Sequence, residues 1–154
     1  MIKLKSLKNI FIGYVVILVY GMVIFNRNLD FSWIVTGGID RLNAMMADTT
    51  NLTLFATINR YLGVLDRPSG FGLFLYNVIG NMLILIPFGY FFPMVNKSVK
   101  KWWIFLLVAL VFILCIEAMQ YVSMSGSLDV DDVLLNLMGA MIGYLLCPAK
   151  EKAT

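Results

Sequence analysis

Long apolar runs alternate with short polar segments along the chain. A hydrocarbon core about 30 Å thick needs about 20 helical residues to cross it, and four stretches are long enough or nearly so. They are Ile10 to Phe25, Phe71 to Phe92, Trp102 to Val122 and Val133 to Cys147. The first and last are short and must borrow flanking residues or thin the bilayer locally. The pattern predicts an all-α integral membrane protein with four transmembrane helices, forming one membrane domain over residues 1–154.

The first loop between spans, residues 26–70, has a helical pattern of its own. Its polar positions Asn51, Thr57 and Arg60 fall on other faces than its apolar ones. The spacing predicts one or two amphipathic helices lying in the outer interface. The alternative is that this apolar face packs onto the membrane spans. The apolar residues at helical spacing are Leu54, Phe55, Ile58, Tyr61, Leu62 and Leu65, and more weakly Ile39, Leu42 and Met46.

Composition supports the membrane interpretation and restricts the chemistry. The chain is 60% hydrophobic and 14% charged, whereas globular chains are about 45–50% apolar and about 25% charged. A soluble fold and intrinsic disorder are both excluded. There is no histidine, so histidine-based catalysis and the usual zinc sites are excluded and any catalysis must use carboxylates. Cys115 and Cys147 lie toward opposite ends of separate spans, and we expect both to be free, small buried residues.

Charged residues separate by loop and give the orientation. All eight lysines lie before the first span, between the second and third, or after the fourth. The other two loops hold all seven aspartates and the four arginines. Because lysine and arginine accumulate on the cytoplasmic side, both termini are predicted to be inside. The basic residues form no single patch, so nucleic acid is not an expected partner.

Polar side chains occur within the spans and in the loop before the fourth span, and an ionisable group inside a span costs about 2.5–3.5 kcal/mol. Helical spacing places each set on one face and at one level near the outer surface. The aspartates share a stripe with Asn136 if the fourth helix begins near Asp129. In the structural alternative, Glu117 hydrogen-bonds to asparagines to hold helices together, and the aspartates form a solvated loop with a helix cap. The sets are Asn77 with Asn81, Glu117 with Gln120, and Asp129 and Asp132 with Asn136.

Two features of the spans indicate helix packing. Gly139 and Gly143 form a Gly-x-x-x-Gly pair that lets two helices approach closely. We expect packing within the monomer, with a homodimer seam as the alternative. Pro87 should kink the second span.

The order of these motifs resembles that of the VanZ-like family of bacterial membrane proteins. The second span carries Asn81 before an apolar run that ends in Pro87-Phe-Gly89. The resemblance covers residues 77–143, and many members have Arg where this chain has Ser127. The remaining matching motifs are Glu117-x-x-Gln120, Gly126-x-x-Asp129-x-x-Asp132-Val, and Asn136 with Gly139.

The resemblance implies a plasma-membrane protein that lowers susceptibility to the lipoglycopeptide teicoplanin in a Gram-positive-type envelope. Its partners would be the lipid bilayer and either the lipoglycopeptide or a lipid-linked cell-wall precursor. The ligand would bind an outward-facing polar site. The predicted ligand-binding residues are Asn77, Asn81, Glu117, Gln120, Ser127, Asp129, Asp132 and Asn136.

An enzyme acting on a cell-envelope lipid or precursor head group is the alternative hypothesis. Its candidate catalytic residues are Glu117, Asp129 and Asp132, of which a buried Glu117 would be the general acid or base. Asp129 and Asp132 are also the candidate ligands for Mg²⁺, Mn²⁺ or Ca²⁺, which prefer oxygen ligands, although the sequence requires no cofactor. A small transporter is a weaker hypothesis, because no inverted repeat is present.

Overall fold

The computed structural model describes residues 4–24, 29–47 and 50–149, and these ranges are helical with no β-strand. The predicted all-α class is confirmed for them. Lys3, Lys150, Lys152 and the predicted end of the first span at Phe25 lie outside the described residues. The helices are α1 (Leu4–Ile24), α2 (Trp33–Thr36), α3 (Gly38–Met46), α4 (Ala56–Leu62), α5 (Gly70–Val95), α6 (Trp102–Val122) and α7 (Val130–Leu146).

Among the described residues, three helices are long and apolar enough to cross a membrane, namely α1, α5 and α6. α1 begins at Leu4, six residues before the predicted start, because lysine is a good helix former and the side chains of Lys5 and Lys8 are exposed. α7 has 17 residues and is about 26 Å long at about 1.5 Å per residue. This length is slightly less than the hydrocarbon core.

Helix α5 is not regular along its length. Residues Leu75–Ile79 are π-helical, and the regular α-helix is interrupted at Leu85. The interruption lies two residues before Pro87, which has no N–H for the preceding turn. The predicted kink at this proline stays a prediction. The hydroxyl of Tyr14 on α1 donates a 2.6 Å hydrogen bond to the carbonyl of Ile84 at this point.

The hydrophobic core draws on α1, α5, α6 and α7, and its closest backbone packing is where the second half of α5 meets α7. A Cβ atom on Gly139 would lie 1.9 Å from the carbonyl oxygen of Met82, and one on Gly143 would lie 2.0 Å from that of Ile86. From the other side, a Cβ on Gly89 would lie 1.9 Å from the carbonyl oxygen of Ala140. Only glycine permits such close backbone contact. The Gly-x-x-x-Gly pair therefore packs within the monomer, as predicted.

In its described residues, 29–47 and 50–69, the loop after α1 contains three short helices, whereas the sequence predicted one or two. Leu42 and Met46 of α3 are buried. Around α4, in contrast, Leu54, Phe55 and Leu62 are exposed. The alternative that this apolar face packs onto the spans is therefore wrong for α4, whose apolar side faces away from the protein.

The two cysteines are free. Cys147 is buried, as expected, but Cys115 is exposed. The expectation of burial was wrong for Cys115 because it lies on the outward side of α6, together with exposed Val111 and Leu114.

Candidate functional site

A cavity of about 900 Å³ lies at the end of the bundle where α5 and α7 begin and α6 ends. Helices α1 and α4 complete its wall. The structure brings all eight predicted ligand-binding side chains to this cavity, although their role in binding stays a prediction. The eight are Asn77, Asn81, Glu117, Gln120, Ser127, Asp129, Asp132 and Asn136.

The beginning of α7 supplies the acidic side of the cavity. Asp129 is the N-cap of this helix, and its side chain accepts a 2.9 Å hydrogen bond from the backbone N–H of Asp131. The predicted helix start is thus confirmed, and Asp132 and Asn136 follow on the same stripe. Asn81 Nδ2 on α5 donates to Asp132 Oδ1 at 2.7 Å. This bond joins the two helices across the cavity.

Asp129 is buried and already engaged by the protein. Its Oδ2 accepts a 2.5 Å hydrogen bond from the hydroxyl of Thr57, and its Oδ1 accepts one of 3.1 Å from Asn51 Nδ2. A short parallel bridge between Asn51 and Asp129 adds the backbone bond from Asn51 N to the carbonyl of Leu128. Asp129 therefore has the helix-capping role of the structural alternative.

Asp131, which sequence reasoning did not include in the site, clamps α4 onto α7. It is fully buried, and its two oxygens accept hydrogen bonds from the backbone N–H groups of Phe55, Thr57 and Ile58 at 2.5, 2.8 and 3.1 Å. The first N–H groups of a helix lack partners within the helix, and a carboxylate satisfies them well. Phe55 has a φ of 65°, which is strained for a bulky residue. The Asp131 carboxylate holds this turn in place.

The α6 and α7 side chains form the floor of the cavity. Glu117 is 2% exposed and Asn136 is 1% exposed. Among the described residues, none donates a hydrogen bond to Asn136 Oδ1, so the cavity contains a buried acceptor available to a ligand. Gln120 Nε2 donates a 2.7 Å hydrogen bond to the carbonyl of Met22. The amide of Gln120 therefore positions the end of α1.

Five further lining residues come from the loop before α5, and the predicted site omitted them. They are Asn51, Thr57, Arg60, Tyr61 and Thr50. For Asn51, Thr57 and Arg60, the sequence did carry a signal, because they are the polar positions of the amphipathic pattern in this loop. Burial and the negative charges of Asp132 and Asp129 raise the pKa of Tyr61, and the Arg60 guanidinium lowers it to a smaller extent. Tyr61 is thus a neutral hydroxyl donor at physiological pH.

The acidic residues do not form a metal centre in the described ranges. No group of three or more cysteine, aspartate or glutamate side chains comes together there with a geometry suited to a metal ion. Asp129, one of the two predicted ligands, already receives three hydrogen bonds from the protein.

The sequence model of one family, VanZ/LLP1, matches residues 11–151 of the 154-residue chain. The chain belongs to the VanZ/LLP1 family. No curated protein and no solved structure matches it. The family match extends beyond the motifs in residues 77–143 and includes α1 from residue 11 onward and the loop that carries Arg60 and Tyr61. The complete wall of the cavity thus lies within the VanZ/LLP1 region.

Proposed function

We propose that this protein lies in the bacterial plasma membrane and gives resistance to teicoplanin-type lipoglycopeptides through the polar cavity. One observation carries the proposal. Side chains from three helices that are separated in sequence converge on a single cavity of about 900 Å³, although polar groups are costly in spans. A protein that needed only helix packing would not require such a space.

We further propose four spans, with α7 as the fourth and the cavity facing outside. Lys5 and Lys8 lie at the start of α1, at the opposite end of the bundle from the cavity. Lys97, Lys100 and Lys101 join α5 to α6 at that same end. The preference of lysine for the cytoplasmic side supports this orientation. Slight thinning of the bilayer would accommodate the 17 residues of α7.

The chemistry of the cavity suits a ligand rich in hydroxyl, amide and amine groups. Three carboxyl groups, those of Glu117, Asp129 and Asp132, face one guanidinium, that of Arg60. Carboxylates accept hydrogen bonds from such donors, and charge assistance makes these bonds roughly twice as strong as neutral ones. Lipoglycopeptides and lipid-linked cell-wall precursors both carry these groups.

Susceptibility to teicoplanin and vancomycin in a sensitive Gram-positive host tests the proposal. The host would express wild-type, Glu117→Ala or Asp132→Ala protein, with Asp66→Ala as the control because Asp66 is exposed and outside the cavity. Membrane levels would be compared by immunoblot. We expect wild type and Asp66→Ala to protect against teicoplanin selectively, and both cavity variants to lose protection at equal abundance. Absence of protection, or equal shifts for both antibiotics, would contradict the proposal.

The burial of Glu117 in the wall of the cavity favours one alternative function, hydrolysis or transfer at an envelope-lipid head group. A buried carboxyl group beside a ligand is suited to general acid or base catalysis. Purified protein would be incubated with an envelope lipid extract, with and without EDTA. Turnover that Glu117→Gln abolishes would support the enzyme. Unchanged lipids under both conditions would contradict it.

A further inference from the structure

Helices α1 and α5 are in contact in one half of the bundle and separate in the other. In the half away from the cavity, the ring of Phe11 stacks on that of Phe92 with centroids 5.4 Å apart. At the inner end of the cavity, the hydroxyl of Tyr14 on α1 donates a hydrogen bond to the carbonyl of Ile84, a lining residue of α5. Toward the cavity, residues Tyr20–Ile24 pack against α6 instead. The bond from Gln120 to the carbonyl of Met22 fixes them there.

This divergence leaves a lateral opening between the two helices, which we define by Gly21 on α1 and by Gly72, Leu75 and Tyr76 on α5. All four residues are exposed, Tyr76 to 76%, and all four also line the cavity. The cavity therefore reaches the side of the bundle as well as its end. In a four-span arrangement, the side of the bundle faces lipid.

The rim and the interior of the lateral opening differ in chemistry. The rim contains two glycines, a leucine and the exposed ring of Tyr76. The interior presents Asn81, Glu117, Asp132 and the available acceptor of Asn136. An apolar rim tolerates contact with acyl chains, whereas the interior requires hydrogen-bonding groups. A molecule that is apolar at one end and polar at the other matches both.

We propose that the lateral opening admits the polar head of an outer-leaflet amphiphile into the cavity while its acyl chain stays in the bilayer. The head would carry hydroxyl, amide or amine groups, in keeping with the excess of carboxyl groups over guanidinium in the lining. The inference rests on the proposed function for its membrane orientation, and it adds the ligand class and the route of entry. Acylated antibiotics and lipid-linked precursors share this chemistry.

Glycine substitutions can close the lateral opening without a clash at the Cβ position. A Cβ atom at Gly21 or Gly72 would meet no atom within 4 Å, so Gly21→Phe and Gly72→Phe place a ring in free space beside the cavity. Gly13 is the matched control, because it lies on α1 two turns from Gly21, its Cβ would also meet nothing, and it does not line the cavity. Gly13→Phe adds the same ring to α1 at a position that does not line the cavity.

Cysteine labelling in liposomes measures the route of entry directly. Ser127→Cys provides a thiol in the cavity wall, in a Cys115→Ser background that removes the exposed native thiol. The probes are N-hexadecylmaleimide, which partitions into the bilayer, and a small charged thiosulfonate in the aqueous phase. We expect Gly21→Phe and Gly72→Phe to slow lipid-phase labelling at least about tenfold, which needs a barrier increase of only about 1.4 kcal/mol. Aqueous labelling of both variants, and all labelling of Gly13→Phe, should be unchanged.

Preincubation with teicoplanin or with a purified lipid-linked cell-wall precursor distinguishes the two sources of the amphiphile. The compound that occupies the cavity should protect Ser127→Cys from the aqueous reagent. Protection by neither compound would contradict the proposed ligand class. Equal rates of lipid-phase labelling for Gly21→Phe, Gly72→Phe and the control Gly13→Phe would contradict the lateral route of entry.

The labelling result is independent of the resistance result. If the wild-type protein protects against teicoplanin and the Gly21→Phe and Gly72→Phe variants protect equally, the proposed function is supported and the lateral opening is not. If Gly21→Phe and Gly72→Phe slow lipid-phase labelling but the wild-type protein gives no protection against teicoplanin, the lateral opening is supported and the resistance function is not.

Discussion

The two halves of the α5 and α7 pair follow opposite principles of packing. In one half, Gly89, Gly139 and Gly143 bring the two backbones into direct contact and leave no room for a methyl group. In the other half, Asn81 and Asp132 meet through a single hydrogen bond at the wall of a large cavity. The close-packed half holds the helices rigidly, and this rigidity allows the other half to remain open and polar. Function should therefore be sensitive to the open half and stability to the close-packed half.

The largest expected effect comes from adding methyl groups to the close-packed half. Gly139→Ala with Gly143→Ala should destabilise the protein by about 3 kcal/mol or more, because each Cβ would overlap a backbone carbonyl that cannot rotate away. Thermal unfolding in detergent would measure the loss. Gly13→Ala is the control and should be neutral or slightly stabilising, since its Cβ meets nothing and alanine favours the helix by up to about 1 kcal/mol. Equal midpoints for all variants would refute close packing.

The next effect concerns the clamp between α7 and the loop. Asp131→Ala removes the acceptor of three backbone N–H groups and should cost about 2–3 kcal/mol, because buried donors then lack partners. Hydrogen exchange should increase over residues 55–62 and remain slow in α6. Asp66→Ala, on an exposed residue of the same loop, should change neither. Faster hydrogen exchange in α6 as well would indicate general unfolding and would contradict a local role for Asp131.

The smallest effect on stability is expected in the open half, together with the largest effect on binding. Asn136→Leu replaces a buried amide whose oxygen has no donor among the described residues. Removal of this buried oxygen should leave the free energy of unfolding unchanged or raise it by about 1 kcal/mol. Teicoplanin protection should nevertheless be lost. A variant that is strongly destabilised would show that Asn136 serves packing, and the contrast between the two halves would fail.

Several features of the fold follow from local sequence alone. The spans of α5 and α6 were predicted to within three residues, because the transfer of apolar side chains into lipid adds up along a continuous stretch. The stripe of Asp129, Asp132 and Asn136 followed from helical period once the helix start was fixed by its cap. The same period placed Asn77 and Asn81 on one face of α5.

Other features depend on contacts between distant residues and have no periodic signal. The bonds from Asp131 to the start of α4 span more than 70 residues, and nothing in the neighbouring sequence distinguishes this aspartate from Asp132. The position of α4 over the cavity, with its polar side inward, is a consequence of that clamp. It brings Arg60 and Tyr61 to the lining, where the sequence indicated only an interfacial helix.

The sequence by itself determined where the helices lie and which of their faces are polar, because burial energies and helical spacing act over one or two turns. The tertiary structure decided which faces meet. It showed that glycines join α5 to α7 in one half, and that α1 leaves α5 in the other half to pack against α6. The end of α1 is held there by the burial of Met22 and Val23 in the core and by the hydrogen bond from Gln120 to the backbone of Met22, which no pattern within either helix could reveal.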